Sequence, residues 1–461
     1  MTLYRWDLKF KNSQIFNMLK KIIRKSVLCM LCFISIKSFA QDSLAIKGPV
    51  VWDLETCIQY ARENNIQINS LKLSKQSTEQ DLILSKSAVL PDLYGSASQS
   101  FNHYNNSAGR NSFVGASGSY GLNSSLILYQ GGYLKKDIRQ KDLSVQSANL
   151  SILEGENDIS LQIAQSYLNI LLDKESIIYA QDLVKTSQAQ LEQSQRQFAV
   201  GSIARKDVVQ LQAQLAGDRY TLTTLQNAER QDKLVLKQLL QLPARVDFDI
   251  VKPDTITSSK LVPSLQEVQT YALQNRPEIA NTELGVEIAK LSLDKVQTGY
   301  KPTISVGGSI GSSYVSDATT NALNQVDNNF NQQVGVSLSV PIFTKGLNKT
   351  NVAKAKIGIE QAELDLRNTQ TILNQTIEQA YINVQNAQTE YQSAEEQLKY
   401  AEEVYRIATE ELRLGAANLV DFYQQRNQYI QALQSTIQSK YNAALATKIY
   451  LFYLGVPLNM N

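Results

Sequence analysis

The chain holds few residues whose types and spacing could carry out chemistry. Neighbouring acids occur at Glu402-Glu403 and Glu410-Glu411, and paired carboxylates can serve in general acid–base catalysis. Both pairs lie in a long helical pattern, where such acids are normally solvated. Gly307-Gly308-Ser309-Ile310-Gly311 partly matches a phosphate-binding loop, but no Lys follows it and it lies in a strand pattern. We therefore expect no enzyme and no cofactor.

Histidine and cysteine are scarce, which limits metal and nucleophile chemistry further. One His in 461 residues makes a His-based metal site or a Ser-His-Asp triad a poor explanation of function. Two of the three Cys residues precede residue 40, so the remainder keeps only Cys57. A lone Cys cannot form an intrachain disulfide.

Residues 1–40 have the organisation of a secretion signal. A basic segment at 18–25 and an apolar segment at 26–36 precede Ser38-Phe39-Ala40, the small-x-small form that signal peptidase cleaves. We expect the mature chain to begin near residue 41, with Met1 or Met18 as the translation start. A lipid anchor on Cys32 is the alternative, although the residues before it lack the usual small side chains.

Charge is distributed unevenly along the chain. Residues 1–40 hold eight basic side chains and one acid, so the remainder carries about five net negative charges. A nucleic-acid-binding protein would need a concentrated basic face, and the sequence shows none. No later apolar helix reaches membrane length. We expect an exported protein with no nucleic-acid partner and no helical membrane anchor.

The second half of the chain repeats the first. At an offset of about 214 residues, Gly132 corresponds to Gly346, and the same register holds as far as Pro243 and Pro457. Other matched pairs are Tyr167/Tyr381, Gly201/Gly415, Asp207/Asp421 and Leu240/Leu454. Such self-similarity indicates a tandem duplication. We expect a first structural repeat at 41–243, an equatorial linker at 244–262 and a second repeat at 263–461.

Each repeat predicts a short helix, a second helix, two strands, a very long helix, a Gly turn and a medium helix. Ser264-x-x-Glu267 is a capping box that predicts a helix from Ser264 to Asn275. Polar stretches at 102–106 and 317–329 are expected to be the loops that join the strands. The predicted class is therefore α+β, with four strands per chain.

The strands show the alternation of a sheet with two different faces. Val334, Val336 and Leu338 alternate with small polar residues, and residues 114–128 keep the same period of two. Their lengths suit a tilted membrane strand, although a soluble hairpin packed on a helix is the alternative. Four strands cannot close a barrel, so membrane strands would require two copies or three.

Two helices are too long for a globular domain. Residues 134–198 and 348–413 contain no Pro, and at about 1.5 Å per residue each helix would extend near 100 Å. Two shorter helices in each repeat together match that length. Apolar stripes at 3/4 spacing lie on two faces of the first long helix, which predicts neighbours on both sides. The alternative is an ordinary coiled-coil rod.

These features together resemble the TolC-like outer-membrane efflux protein family. The resemblance rests on the signal peptide, the duplicated halves and the turn pairs Val200-Gly201-x5-Asp207 and Leu414-Gly415-x5-Asp421. It implies a homotrimer whose twelve strands form an outer-membrane β-barrel and whose helices form a periplasmic tunnel. It also implies a passive exit duct for tripartite efflux or type I secretion, working with a periplasmic adaptor and an inner-membrane transporter. The alternative is a soluble periplasmic coiled-coil scaffold or adaptor.

The resemblance also implies where the functional residues lie. The turns at Gly201 and Gly415 would be the periplasmic tips on which adaptors dock, and Asp421 would line a gate at the closed entrance. The residues that would accompany them are Asp207 and Gln424 at the gate and Arg196, Arg205 and Arg413 at the tips.

Two details of the gate depart from the family pattern. Gln424 stands where the archetype has a second acid, and Leu412 and Ala417 replace the pair that latches its entrance. We expect another latch, such as Asp207 with Lys206 or Arg205; the alternative role of Asp207 is to stabilise a helix N-terminus. A tunnel lined by uncharged polar groups predicts that the inner-membrane pump selects the cargo.

Overall fold

The computed structural model describes residues 50–104, 113–253, 262–316, 321–414, 416 and 419–459. The signal peptide predicted at 1–40 lies outside the described residues, as do Gly415 and Ala417. In the first half the elements are β1 (Val50–Trp52), α1 (Leu54–Asn64), α2 (Ile66–Ser87), β2 (Tyr94–Tyr104), β3 (Phe113–Gln130), α3 (Tyr133–Ala199) and α4 (Arg205–Leu239). The remainder holds β4 (Phe248–Ile250), α5 (Leu265–Asn275), α6 (Pro277–Gln297), β5 (Thr303–Val315), α7 (Ala322–Asn328), β6 (Asn331–Ser339), α8 (Leu347–Arg413) and α9 (Leu419–Tyr453).

The long and the medium helices have the same lengths in the two halves. The long helices α3 and α8 have 67 residues each, and α4 and α9 have 35 each. A helix of 67 residues is about 100 Å long. As expected, two shorter helices pack along each long one, α2 and α4 along α3 and α6 and α9 along α8. The Ser264 cap is also present, since its hydroxyl accepts the backbone N–H of Glu267 at 3.3 Å.

The four predicted strands form one antiparallel sheet in the order β2-β3-β5-β6. In their register Ser98, Ser119 and Ser313 lie side by side, as do Asn123, Ser309 and Gln333. The opposite face carries Leu122 and Ile310, then Val306 beside Val336. The sheet therefore has one small polar face and one apolar face, which is the division that the alternation predicts.

The apolar face of this sheet is exposed in the single chain. Val334 is 82% exposed, Val336 72% and Leu338 64%. Such a contiguous exposed apolar surface is unusual in a monomeric soluble protein and marks an interface. The sheet also ends in two strands, β2 and β6, that each pair on one side only.

A short helix covers part of the β5 edge where β6 does not reach. The side-chain amide of Gln325, in α7, accepts the backbone N–H of Val315 and donates to its carbonyl, both at 2.9 Å. Asn329 donates to the carbonyl of Ser313 at 2.7 Å. The sequence predicted a loop at 317–329, and that prediction was wrong for residues 322–328. The polar composition of α7 is typical of a loop, but the amide side chain of Gln325 can pair with a strand as a peptide group does, and this contact holds α7 in place. The loop predicted at 102–106 was also wrong for residues 102–104, which belong to β2.

The described part of the predicted linker at 244–262 contains a short strand. Residues Phe248–Ile250 form β4, which pairs in parallel with β1. The hydroxyl of Tyr167 donates to the carbonyl of Val251 at 2.6 Å, and Lys174 pairs with Asp249 at 2.6 Å. A three-residue strand carries too little periodicity to be predicted from sequence.

No α-helix among the described residues is both long enough and apolar enough to cross a membrane.

Candidate functional site

The candidate site is the end of the helical bundle that contains two turns, one between α3 and α4 and the other between α8 and α9. Gly201 makes the first turn with φ +76°, a conformation that a side chain would strain, and its N–H donates to the carbonyl of Phe198 at 2.9 Å. The second turn contains Gly415, which lies outside the described residues. Arg196 and Arg205 are exposed at the first turn. Arg413 is exposed near the second and pairs with Glu410 on its own helix at 2.7 Å.

The acidic residues predicted for a gate have different surroundings. Asp421 and Gln424 are both exposed and lie three residues apart, hence on one face of α9. Asp207 instead accepts the backbone N–H of Ala204 at 3.3 Å, so it caps the start of α4. Its neighbours Arg205 and Lys206 are exposed. The arrangement agrees with the helix-stabilising role of Asp207.

An aromatic and aliphatic cluster joins all four helices at this end. Phe422 is fully buried, and Tyr405 stacks on Tyr429 with ring centroids 5.0 Å apart. The other buried members of this cluster are Leu191, Val208, Leu211, Leu215, Ala408 and Tyr423. Burial raises the pKa of Tyr423 to about 12; Arg426 opposes this rise, while Asp207 and Asp218 add to it. The two helical hairpins are therefore packed into one body next to the turns.

A buried ion pair lies directly behind this cluster. Arg426, on α9, is fully buried, and its Nη2 donates to the Asp218 carboxylate of α4 at 2.7 Å and to the Ser187 hydroxyl of α3 at 2.9 Å. Ser187 also donates to Asp218, and Gln214 donates to its other oxygen at 2.9 Å. We call Arg426, Asp218 and Ser187 the tip-side clamp, because they tie α9 to α3 and α4.

A second buried contact ties the same helices nearer the linker. Glu175, on α3, accepts Lys440 at 2.9 Å and the Tyr441 hydroxyl at 2.7 Å, both from α9. Burial alone would raise the pKa of Glu175, but the hydrogen bonds from Tyr441 and Lys440 hold it below its usual range. We call these three residues the linker-side clamp. Together the clamps fix α9 against the first repeat at two levels.

Neither clamp was predicted from the sequence, although a comparison of the two halves indicates the charged residues of the tip-side clamp. The repeat equivalents of Asp218 and Arg426 are Ala432 and Gln212, so neither charge has a charged counterpart in the other half. Asp218 also interrupts the apolar stripe of α4. A charge on a buried stripe normally has a buried partner. That partner, 208 residues away, could only be found by folding the chain.

A group of acids lies between α3 and α4 beside the linker-side clamp. Burial, the nearby charge of Asp232 and the charge of Glu229 raise the pKa of Asp173 to about 7. Around them Lys233 pairs with Glu229 at 2.9 Å and with Asp249 at 3.0 Å. Asp173 therefore retains a proton at a pH where an ordinary Asp has lost it.

The fold is similar to that of solved outer-membrane channel structures. A crystal structure of CusC matches it with a TM-score of 0.75 at 19% identity, over 88% of this chain and 92% of that chain. Among curated proteins, Outer membrane protein TolC of Vibrio cholerae is 22% identical over 332 residues, which cover 71% of this chain and 74% of the relative. Proteases secretion protein PrtF of Dickeya chrysanthemi is 21% identical over 348 residues, which cover 68% and 69%.

The chain belongs to the outer membrane efflux protein family, whose sequence model matches residues 57–241 and 269–448. One matched segment falls in each half of the chain. The protein is accordingly a TolC-like transport channel protein of the outer membrane, as the resemblance implied.

Arg426→Met should destabilise the folded chain strongly. The substitution keeps the volume but leaves the Asp218 carboxylate buried without its cation, which costs about 3–5 kcal/mol. Thermal unfolding followed by circular dichroism measures the loss. Arg413→Met is the matched control, since it breaks an exposed pair worth about 0–1 kcal/mol. Adding Asp218→Leu to Arg426→Met should restore most of the stability; equal effects of the two single variants would contradict a structural clamp.

Asp173→Asn should flatten the pH dependence of stability. Because the pKa of Asp173 is raised from 3.8 to about 7 on folding, the folded chain binds a proton that the unfolded chain loses. The free energy of unfolding therefore falls as the pH rises from about 4 to 7. At pH 8 the variant should be more stable than the wild type by about 1–2 kcal/mol after solvent screening. Asp182→Asn, at an exposed site of α3, is the control and should leave the slope unchanged.

Proposed function

We propose that the chain is one third of a passive exit duct across the outer membrane and periplasm, serving tripartite efflux or type I secretion. Three copies would form a twelve-stranded barrel continued by a tunnel of long helices. A periplasmic adaptor and an inner-membrane transporter would deliver the cargo to its entrance. Two names support these two uses: the family is named for efflux, and the relative PrtF is named for protease secretion.

The observation that carries this proposal is the sheet with an exposed apolar face and two unpaired edges. In lipid each unpaired backbone group costs several kcal/mol, so β2 of one copy must pair with β6 of another. Two copies would give an eight-stranded barrel, and side chains fill the interior of a barrel of that size. Three copies give twelve strands and leave room for passage. The small polar face, rich in Ser and Gly, would then line the lumen.

The entrance would lie at the turns between the long and medium helices. Threefold symmetry would place three Asp421 carboxylates around the axis, a ring that attracts cations and repels anions. Gln424 would add polar but uncharged groups one turn further along α9. The tip-side clamp would hold α9 against the first repeat while the entrance is closed, and Asp207 would fix the start of α4 beside it.

The exposed turns would be the docking sites for the adaptor. Gly201 has no side chain to cover the backbone of its tip, so a partner helix could approach closely, and Gly415 is the matching glycine of the second repeat. Arg196, Arg205 and Arg413 would provide positive charge around the tips for acidic groups of that partner.

Val336→Arg should weaken assembly if the apolar face meets lipid. A lone charge near the middle of the membrane costs about 2–4 kcal/mol. Ser337→Arg, at the next residue but on the polar face, is the matched control and should cost less. Fractionation of cell envelopes and the heat stability of detergent-extracted trimers measure the difference. Equal tolerance of both variants, with a periplasmic monomer, would favour the soluble scaffold instead.

Asp421→Ala should reduce the cation selectivity of single channels in planar bilayers. Removing three carboxylates from the axis lowers the attraction for cations, so the cation-to-anion permeability ratio should fall roughly severalfold. Glu411→Ala, an exposed acid on α8, is the control. An unchanged ratio in both variants would place the selectivity elsewhere in the duct.

A further inference from the structure

A cavity of about 300 Å³ lies between α3, α4 and α9. Its lining runs from the level of the linker-side clamp to Asp218 of the tip-side clamp, at 172–183 on α3 and 430–438 on α9. Ala180, Leu433 and Ile437 form a floor that is at least nine-tenths buried. Further walls come from Leu172, Leu183, Leu225 and Ile430. Both repeats therefore contribute to one mostly apolar space.

The opening and the charge of the cavity restrict what could enter it. Tyr179, Thr221 and Gln434 are exposed at its rim. Asp218 is the one charged residue of the lining, all of which the structure describes. Its carboxylate already accepts hydrogen bonds from Arg426 and Gln214, as well as from Ser187. The lining therefore offers no uncompensated charge, and a neutral occupant fits it better than an ion.

The second repeat shows that helix packing alone does not demand this lining. Its equivalent groove, between α8 and α9, is lined by polar residues. At the repeat offset, Leu172, Tyr179 and Leu183 correspond to Asn386, Ser393 and Gln397. The equivalent groove of the second repeat therefore does not share this apolar lining.

The geometry points to a binding site for a neutral molecule of two fused aromatic rings. A dry apolar cavity of about 150 Å³ accepts benzene, so one of twice that volume accepts a second ring. The ring system would rest on Leu433 and Ile437, with Tyr179 at its edge. Its hydroxyl or amine would meet the amide of Gln434 at the rim. Binding sites of this size and composition are found between the helices of bundles.

The inference goes beyond the proposed exit duct, and its test does not depend on channel activity. The probe is 6-fluoro-2-naphthol, followed by fluorine NMR on the full chain held in amphipol. We expect saturable binding of one probe per chain. Thr221→Trp places an indole across the mouth and should weaken binding at least about tenfold, which is 1.4 kcal/mol.

The repeat provides a matched control. Ser435 is the equivalent of Thr221 and is exposed on α9 in the polar groove, so Ser435→Trp should leave the affinity within about twofold of the wild type. Thr221→Ala keeps the mouth open and should also bind normally, and circular dichroism confirms that each variant is folded. The proposed site would be overturned if the wild type took up the probe by non-saturable partition alone. It would also be overturned if Ser435→Trp lost as much affinity for the probe as Thr221→Trp. If the protein formed no conducting channels, the proposed duct would be contradicted, but the measured binding of the probe would not be affected.

Discussion

Pairing of the backbone at the edges of the four-stranded sheet is the constraint on which the rest of this structure depends. The sheet carries an exposed apolar face, and outside water every N–H and C=O along an edge needs a partner within the protein. Gln325 already meets this need where β6 stops short, by pairing its amide with Val315. In the proposed duct the remaining edges of β2 and β6 would pair with strands of other copies. The long helices continue directly from this sheet, so its closure would also set their spacing.

The helices are held together by two kinds of interaction with different consequences. Apolar stripes supply most of the burial, but hydrophobic contact is not directional and tolerates sliding. The clamps around Arg426 and Glu175 are directional, because a buried charge displaced from its partner is severely penalised. They fix the register of α9 against α3 at two levels. Between those levels the packing is loose enough to leave a cavity.

Duplication gave the two halves equal helices, whereas divergence gave them different chemistry. Asp218 and Glu175 correspond to Ala432 and Thr389, so the second repeat has no counterpart of either clamp. The charged contacts therefore lie at the junction within one chain. The equivalent groove between α8 and α9 is lined mostly by uncharged polar groups such as Asn386 and Gln397, with Glu390 as its charged member. Contacts between copies there would be weaker and easier to rearrange than those within a copy.

The sequence by itself determined the long, medium and short helices of each repeat and the four strands of the sheet, because helix and strand periods are local properties that a few turns reveal. The short elements α7 and β4 carry too little of such a period. The alternation around Val336 predicted both faces of the sheet, and the capping box at Ser264 predicted where α5 begins. Only the tertiary structure decided which distant groups meet. Arg426 and Asp218 are 208 residues apart in sequence yet 2.7 Å apart in space, and Gln325 pairs with a strand that its polar surroundings did not suggest. Such pairings depend on how distant elements pack together, which the local sequence around each residue does not contain.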